Sequence, residues 1–181
     1  RMENADGNFR FQNLTVTNNG LNGLALIGLT NTNPLHSTHI TATPGNASVY
    51  SVNGAHGILI DQTNPGTQRA LIEFSSFNLN QAGIRAQANG VGSVLTTDII
   101  ENVSIANNFR EGIVLRSING GLHTATVTNR LARLNMNGNG NAGGINNGGG
   151  HGIRAFAGDE FSLFSSTLNV NISNVSLQNI G

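Results

Sequence analysis

The chain has no cysteine, no lysine and no tryptophan, only one tyrosine and three prolines, and just 10% of its 181 residues are charged. The lack of cysteine excludes disulfides and thiolate-held metals. With no lysine, all nine basic groups are arginine; nine acidic groups balance them, for a net charge of zero. A neutral chain without a basic stripe argues against nucleic acid or an anionic membrane as partner. Its longest apolar runs are a few residues, far short of the roughly 20 needed to span a bilayer. One tyrosine and no tryptophan leave few aromatic platforms for stacking on sugars or bases, and the eight phenylalanines read as core.

Glycine is abundant, at 24 residues, and so is asparagine, as in Asn137-Gly138-Asn139-Gly140-Asn141. Both tolerate left-handed backbone at tight corners, glycine for want of a Cβ and asparagine through local side-chain bonding. Many corners and few helix formers point to an all-β solenoid. The length suits one domain with a continuous core over 1–181.

A repeat sets the register. It is clearest at Asn102-Val103-Ser104-Ile105-Ala106-Asn107-Asn108-Phe109-Arg110-Glu111-Gly112-Ile113-Val114-Leu115: an alternating strand, an Asn-Asn corner, then a Gly-led second strand. Repeat glycines stand at Gly23, Gly57, Gly83, Gly112 and Gly152. The next position is Leu24, Ile58, Ile84, Ile113 and Ile153, and two further on are Leu26, Ile60, Ala86, Leu115 and Ala155. Both columns are apolar, as inward positions of period two should be, so Ile84, Ile113 and Ile153 are expected to be buried in one stack. The column between them, Ala25, Leu59, Arg85, Val114 and Arg154, is mixed and reads as outward. A further corner about six residues on and a long β-rich stretch that must bend once give three short strands per rung. Stacking such units buries a face that none can bury alone. The segment 138–150, nearly all Gly and Asn, reads as a flexible loop insertion.

The Asn-Val-Ser-Ile-x-Asn-Asn … Gly-Ile-x-Leu pattern resembles the repeat of the right-handed parallel β-helix proteins, the pectate-lyase-like superfamily, over nearly the whole chain. The resemblance implies three parallel sheets, about five to six rungs, and asparagines stacked at the corner before each Gly strand. Asn18, Asn107 and Asn179 fit that ladder, with Asn137 or Asn139 on the rung carrying the insertion and Asn78 or Asn80 shifted by a shorter stretch. The fold hosts lyases, glycosidases, tailspikes and surface adhesins, so it leaves activity open.

Lyases of that superfamily carry Asp-rich calcium clusters with Arg or Lys bases, and its hydrolases carry Asp pairs. The four aspartates here, Asp6, Asp61, Asp98 and Asp159, fall on different rungs or sides, whereas calcium needs six to eight oxygens in one place. Two charged pairs are candidates. Aligning Ile72, Ile100, Leu131 and Ile172 sets Glu73 beside Glu101, about 4.8 Å apart, with Arg130 or Arg133 as neutralising neighbours. The column before the repeat glycine, Asn22, His56, Ala82, Glu111 and His151, sets Glu111 beside His151; His56 and His151 are three rungs apart, roughly 14 Å, too far to share a metal. His36 and His39 have ligand spacing only on a helix, which their loop context denies. The Thr-x-Thr pairs do not share a column, and the Asn-x-Ser/Thr sequons follow from the repeat.

No residue is therefore assigned a catalytic, cofactor or metal role, and no cofactor is expected. The expectation is an extracellular or cell-surface β-helix segment with a structural or adhesive role and no catalysis. The alternative is a polysaccharide-processing enzyme or glycan-binding β-helix whose catalytic rungs lie partly outside this piece. Because the chain stops inside a repeat, it reads as a slice of a longer solenoid, or as a unit that stacks head-to-tail on the rungs of a neighbouring chain; polysaccharide is the other candidate partner.

Overall fold

The computed structural model describes residues 1–29, 38–43, 45–101, 103–128, 151–158 and 164–178, and residues 134–137 by their strand pairing. The expected 138–150 insertion, His36, Asn139, Asp159, Arg130, Leu131, Arg133 and Asn179 lie outside the described residues.

Among the described residues, eighteen strands follow one another in six rungs of three. The first rung holds β1 (Met2–Glu3), β2 (Phe9–Gln12) and β3 (Thr15–Thr17), and the second β4 (Leu24–Ile27), β5 (Thr38–Thr41) and β6 (Ser48–Ser51). The third holds β7 (His56–Gln62), β8 (Gly66–Glu73) and β9 (Ser75–Asn78), and the fourth β10 (Ala82–Asn89), β11 (Ser93–Glu101) and β12 (Ser104–Ala106). The fifth holds β13 (Glu111–Ile118), β14 (Leu122–Val127) and β15 (Leu134–Asn137), and the sixth β16 (His151–Ala157), β17 (Thr167–Ile172) and β18 (Val175–Gln178). Each rung gives one strand to each of three six-stranded sheets, in the same order down the stack. All strand pairs are parallel. The chain is all-β, with the strand arrangement of a parallel β-helix.

The repeat glycine fixes the register of the first sheet as the sequence implies: Leu24, Ile58, Ile84, Ile113 and Ile153 pair in succession. Ile58, Ile84 and Ile113 are fully buried, each such side chain contributing about 1.5–3 kcal/mol relative to exposure. Ile153 is only half-buried and Ala155 exposed, against the expectation, because β16 is the last strand of its sheet and is covered from one side alone. The second sheet contributes Ile40, Ile72, Ile99 and Val127, and the third Tyr50, Phe77 and Ile105, all buried. Tyr50 and Phe77 stack with centroids 5.2 Å apart and planes 9° off parallel. The glycines themselves are required by close approach. A Cβ on Gly83 would lie 2.7 Å from the Gly112 carbonyl oxygen and 3.0 Å from Ile105 Cγ2.

Two alignments need correction. Ile72 pairs with Ile99, not Ile100, and the next rungs continue with Val127 and Ile172 rather than through Leu131. A β-bulge between Ile99 and Glu101 absorbs the extra residue and returns Glu101 to register with Glu73. The asparagine ladder is also one residue later than expected. Asn18 and Asn107, with Val52 and Leu79 on the rungs between, form the left-handed corner column at φ 58°, 52°, 56° and 55°. The turn there throws side chains outward, so the following residue points in. The ladder is Asn19, Asn53, Asn80 and Asn108, each Nδ2 donating to the Oδ1 of the next, at 2.8, 2.9 and 3.1 Å. Asn80, one of the two alternatives, is in it, and Asn78 is not.

Candidate functional site

The first expected pair does come together, with a histidine beside it. Glu73 and Glu101 are register partners on β8 and β11, yet the Glu73 carboxylate is engaged from the rung above, where His39 Nε2 lies 2.8 Å from Oε2. In the second pair Glu111 and His151 are again register partners, but Glu111 Oε1 accepts from Arg154 Nη1 at 3.3 Å. His56, Ala82, Glu111 and His151 share one row, so the two histidines stand three rungs apart. Among the described residues no group of three or more His, Asp or Glu side chains is placed to hold a metal ion.

The outer face of the first sheet gathers a different set. Its strand positions alternate, so the row Leu59, Arg85, Val114, Arg154 and the row Asp61, Gln87, Arg116, Phe156 both point away from the core. A groove of about 310 Å³ opens there, lined among others by His56, Ala82, Arg85, Arg110, Arg116 and Arg154. Two features of the fourth rung create it. Ala82 is the small residue between His56 and Glu111 in its row. The corner leading into β10 is also short: two steps from Asn80 to Ala82, against three from Asn53 to His56 and from Asn108 to Glu111. Arg85 lines the notch so formed.

Gln87 organises the charges. Its Nε2 donates to Asp61 Oδ1 at 2.9 Å, and its Oε1 accepts from Arg85 Nη2 at 3.0 Å and Arg116 Nη1 at 3.4 Å. Burial raises the Asp61 pKa above the usual carboxylate value, against the lowering effects of the Gln87 hydrogen bond and of Arg85 and Arg116. Burial and then the neighbouring Arg116 charge lower the Arg85 pKa, with Asp61 and Glu111 opposing. Arg85 Nε is buried and donates to no acceptor among the described residues. Arg116 and Arg154 place their guanidinium carbons 5.0 and 5.1 Å from the centre of the Phe156 ring, within cation–π range.

His56 is held by its other side. Asn22 Oδ1 accepts from the His56 backbone N–H at 3.2 Å and from Nδ1 at 2.8 Å, so Nδ1 carries the proton and Nε2 is left bare. Burial, helped by Arg85, pushes its pKa down to about 4, so the ring is neutral at neutral pH.

The arrangement suits holding a ligand better than cutting one. Asp61 lies five residues along β7 from His56, the residue in Glu111's row, about 16 Å at strand rise. A carboxylate pair acting on a glycosidic bond needs roughly 5–9.5 Å. The cluster around Gln87 lies four residues past the repeat glycines, one outward position beyond the mixed column Leu59, Arg85, Val114 and Arg154. The next outward column, Asp61, Gln87, Arg116 and Phe156, carried the signal. Comparison of the chain with protein-family profiles, with characterised proteins and with solved structures gave no significant match.

Proposed function

We propose that the chain is a non-catalytic β-helix of an extracellular or cell-surface protein, structural or adhesive in role, that holds a saccharide in the groove on its first sheet. The observation carrying this reading is the groove itself: four arginine side chains converge in it with one carboxylate, Glu111, which Arg154 already engages. Strand positions preset three of them, Arg85, Arg116 and Arg154, so little backbone ordering is lost on binding. A polysaccharide-cleaving role draws support from one feature, the neutral His56 imidazole with a bare Nε2 beside Arg85. Its low pKa makes it a weak base, and Glu111, the carboxylate lining the same groove, is already engaged by Arg154.

Incubation with a panel of soluble polysaccharides, followed by affinity electrophoresis and mass spectrometry of the recovered chains, separates the readings. Retardation without shortening is expected. Shortened products lost in His56→Ala would replace binding by catalysis, and absence of retardation on every polysaccharide would leave only the scaffold role.

A further inference from the structure

We infer that two copies of this chain associate side by side through the outer face of the third sheet, which leaves the first-sheet groove of each copy open. Alternation along the strands puts Tyr50, Phe77 and Ile105 inside, so the register row Thr15, Val49, Ser76 and Ser104 faces outward, and so does the row Thr17, Ser51, Asn78 and Ala106. The two rows continue by register to Ser176 and Gln178 on the last rung. Every charged residue of a described strand belongs to the first or second sheet and none to the third. The side chains of both rows are short, so the face is flat as well as uncharged.

Its flanks carry an unusual choice of residues. Among the described residues, nine other than glycine hold positive φ; six are Asn, and the other three are Val52, Phe74 and Leu79. All three border the third sheet: Val52 directly follows β6, Leu79 directly follows β9, and Phe74 directly precedes β9. Val52 and Leu79 are 46% and 36% exposed and sit on adjoining rungs, where Val52 N donates to Asn78 O at 3.1 Å. Folding alone favours Asn at such corners, and Asn18 and Asn107 occupy the same column on the outer rungs. Apolar side chains held in costly backbone and left open to water mark a surface that another molecule covers.

The occupant that fits is a second copy. A two-fold contact sets one patch against itself, so charges near its axis meet their own sign. The first sheet, with Arg85, Arg116 and Arg154 outward, resists that contact, whereas the third sheet offers nothing to repel. Depletion of charge is also what distinguishes the centre of protein interfaces from other surface. Six strands about 4.8 Å apart, each about 13 Å long with a corner on either side, give a face of about 500–600 Å². Two such faces bury about 1,000–1,200 Å² in all, enough for a specific but weak dimer.

The test is analytical ultracentrifugation of the full chain from about 1 μM to about 1 mM. The mass should rise from one chain to two and stop there, with a dissociation constant on the order of 10–100 μM in keeping with the small area. Ser76→Arg puts like charges at the middle of the contact and should raise that constant about tenfold or more, whereas Thr124→Arg, exposed on the second sheet, should leave it unchanged. Val52→Asn should weaken the dimer about threefold to tenfold while raising the denaturation midpoint of the chain, a combination that a purely structural residue would not give. Should Ser76→Arg fail to fold, Val52→Asn carries the test. A single chain at every concentration would overturn the inference, as would a dimer insensitive to both Ser76→Arg and Val52→Asn, or one weakened equally by Thr124→Arg. Masses that grow past two with concentration would also overturn it, by placing the contact at the ends of the stack.

Discussion

Replacing Asn80 by alanine removes the centre of the asparagine ladder, and the structure sets the size of the effect. Asn80 is fully buried. Its Oδ1 accepts from Asn53 N at 3.1 Å and Asn53 Nδ2 at 2.9 Å, and its Nδ2 donates to Tyr50 O at 3.0 Å and Asn108 Oδ1 at 3.1 Å. Truncation therefore strips two donors of Asn53 and two acceptors, most of them without water to replace the amide. Each buried group left unpaired costs about 1–3 kcal/mol, and partial relaxation makes the sum less than additive, so a loss of about 3–5 kcal/mol is expected. Asn19→Ala is the internal comparison. Asn19 is exposed and at the outer end of the ladder, donating from Nδ2 to Asn53 Oδ1 and Thr17 O, and its loss should cost about 1 kcal/mol. Urea unfolding followed by circular dichroism reads both, with unchanged denaturant slopes confirming that the same folded state unfolds. If Asn80→Ala costs no more than Asn19→Ala, the ladder is decoration and the reasoning is wrong.

Three other perturbations have definite signs. Val52 holds φ 56° and is 46% exposed, a conformation costly for a β-branched residue, so Val52→Asn should stabilise by about 1 kcal/mol; a lower denaturation midpoint would contradict the strain. Gly83→Ala drives a Cβ to 2.7 Å from the Gly112 carbonyl oxygen, and should destabilise by about 1–3 kcal/mol or more by overpacking; a neutral result in thermal melts would mean that the rungs can spread. His123 is buried, with Nδ1 at 3.1 Å from the Arg116 carbonyl and Nε2 at 3.1 Å from Thr97 Oγ1, and burial pushes its pKa from 6.5 down to about 4. Because the folded pKa is the lower one, unfolding takes up a proton between these values: stability is full above pH 6.5 and falls toward pH 4, by on the order of 3 kcal/mol from this group. In His123→Gln that share of the decline should vanish, and an unchanged pH profile would show that the ring is not held neutral.

The period-two columns beside the repeat glycines were legible because inward positions admit only apolar side chains, and Leu24, Ile58, Ile84 and Ile113 leave no second register. Corners were harder. Among residues with a side chain the left-handed position accepts Asn most readily, yet Val52 and Leu79 occupy it on the middle rungs, so the asparagine column seen in sequence was the strained corner and not the ladder. The bulge at Ile100 shifted one alignment by a residue while preserving the Glu73–Glu101 pairing. Charged pairing proved less readable than topology. A long side chain reaches a diagonal neighbour as easily as a direct one, so Glu111 takes Arg154 rather than His151, and Glu73 takes His39. The groove was invisible because it arises from a missing corner residue and a small Ala82, features that leave no motif.

The central claim is that ligand enters the first-sheet groove and meets its arginines. The nine arginines allow a direct reading, since each Nε–H gives its own nitrogen–proton NMR signal. On titration with an oligosaccharide cut from a polysaccharide that the chain retards, the signals of Arg85, Arg110, Arg116 and Arg154 should shift together and saturate with one affinity, while those of Arg10 and Arg69 on the second sheet stay in place. Shifts confined to Arg10 and Arg69, or no saturable shift of the Arg85 signal, would contradict it.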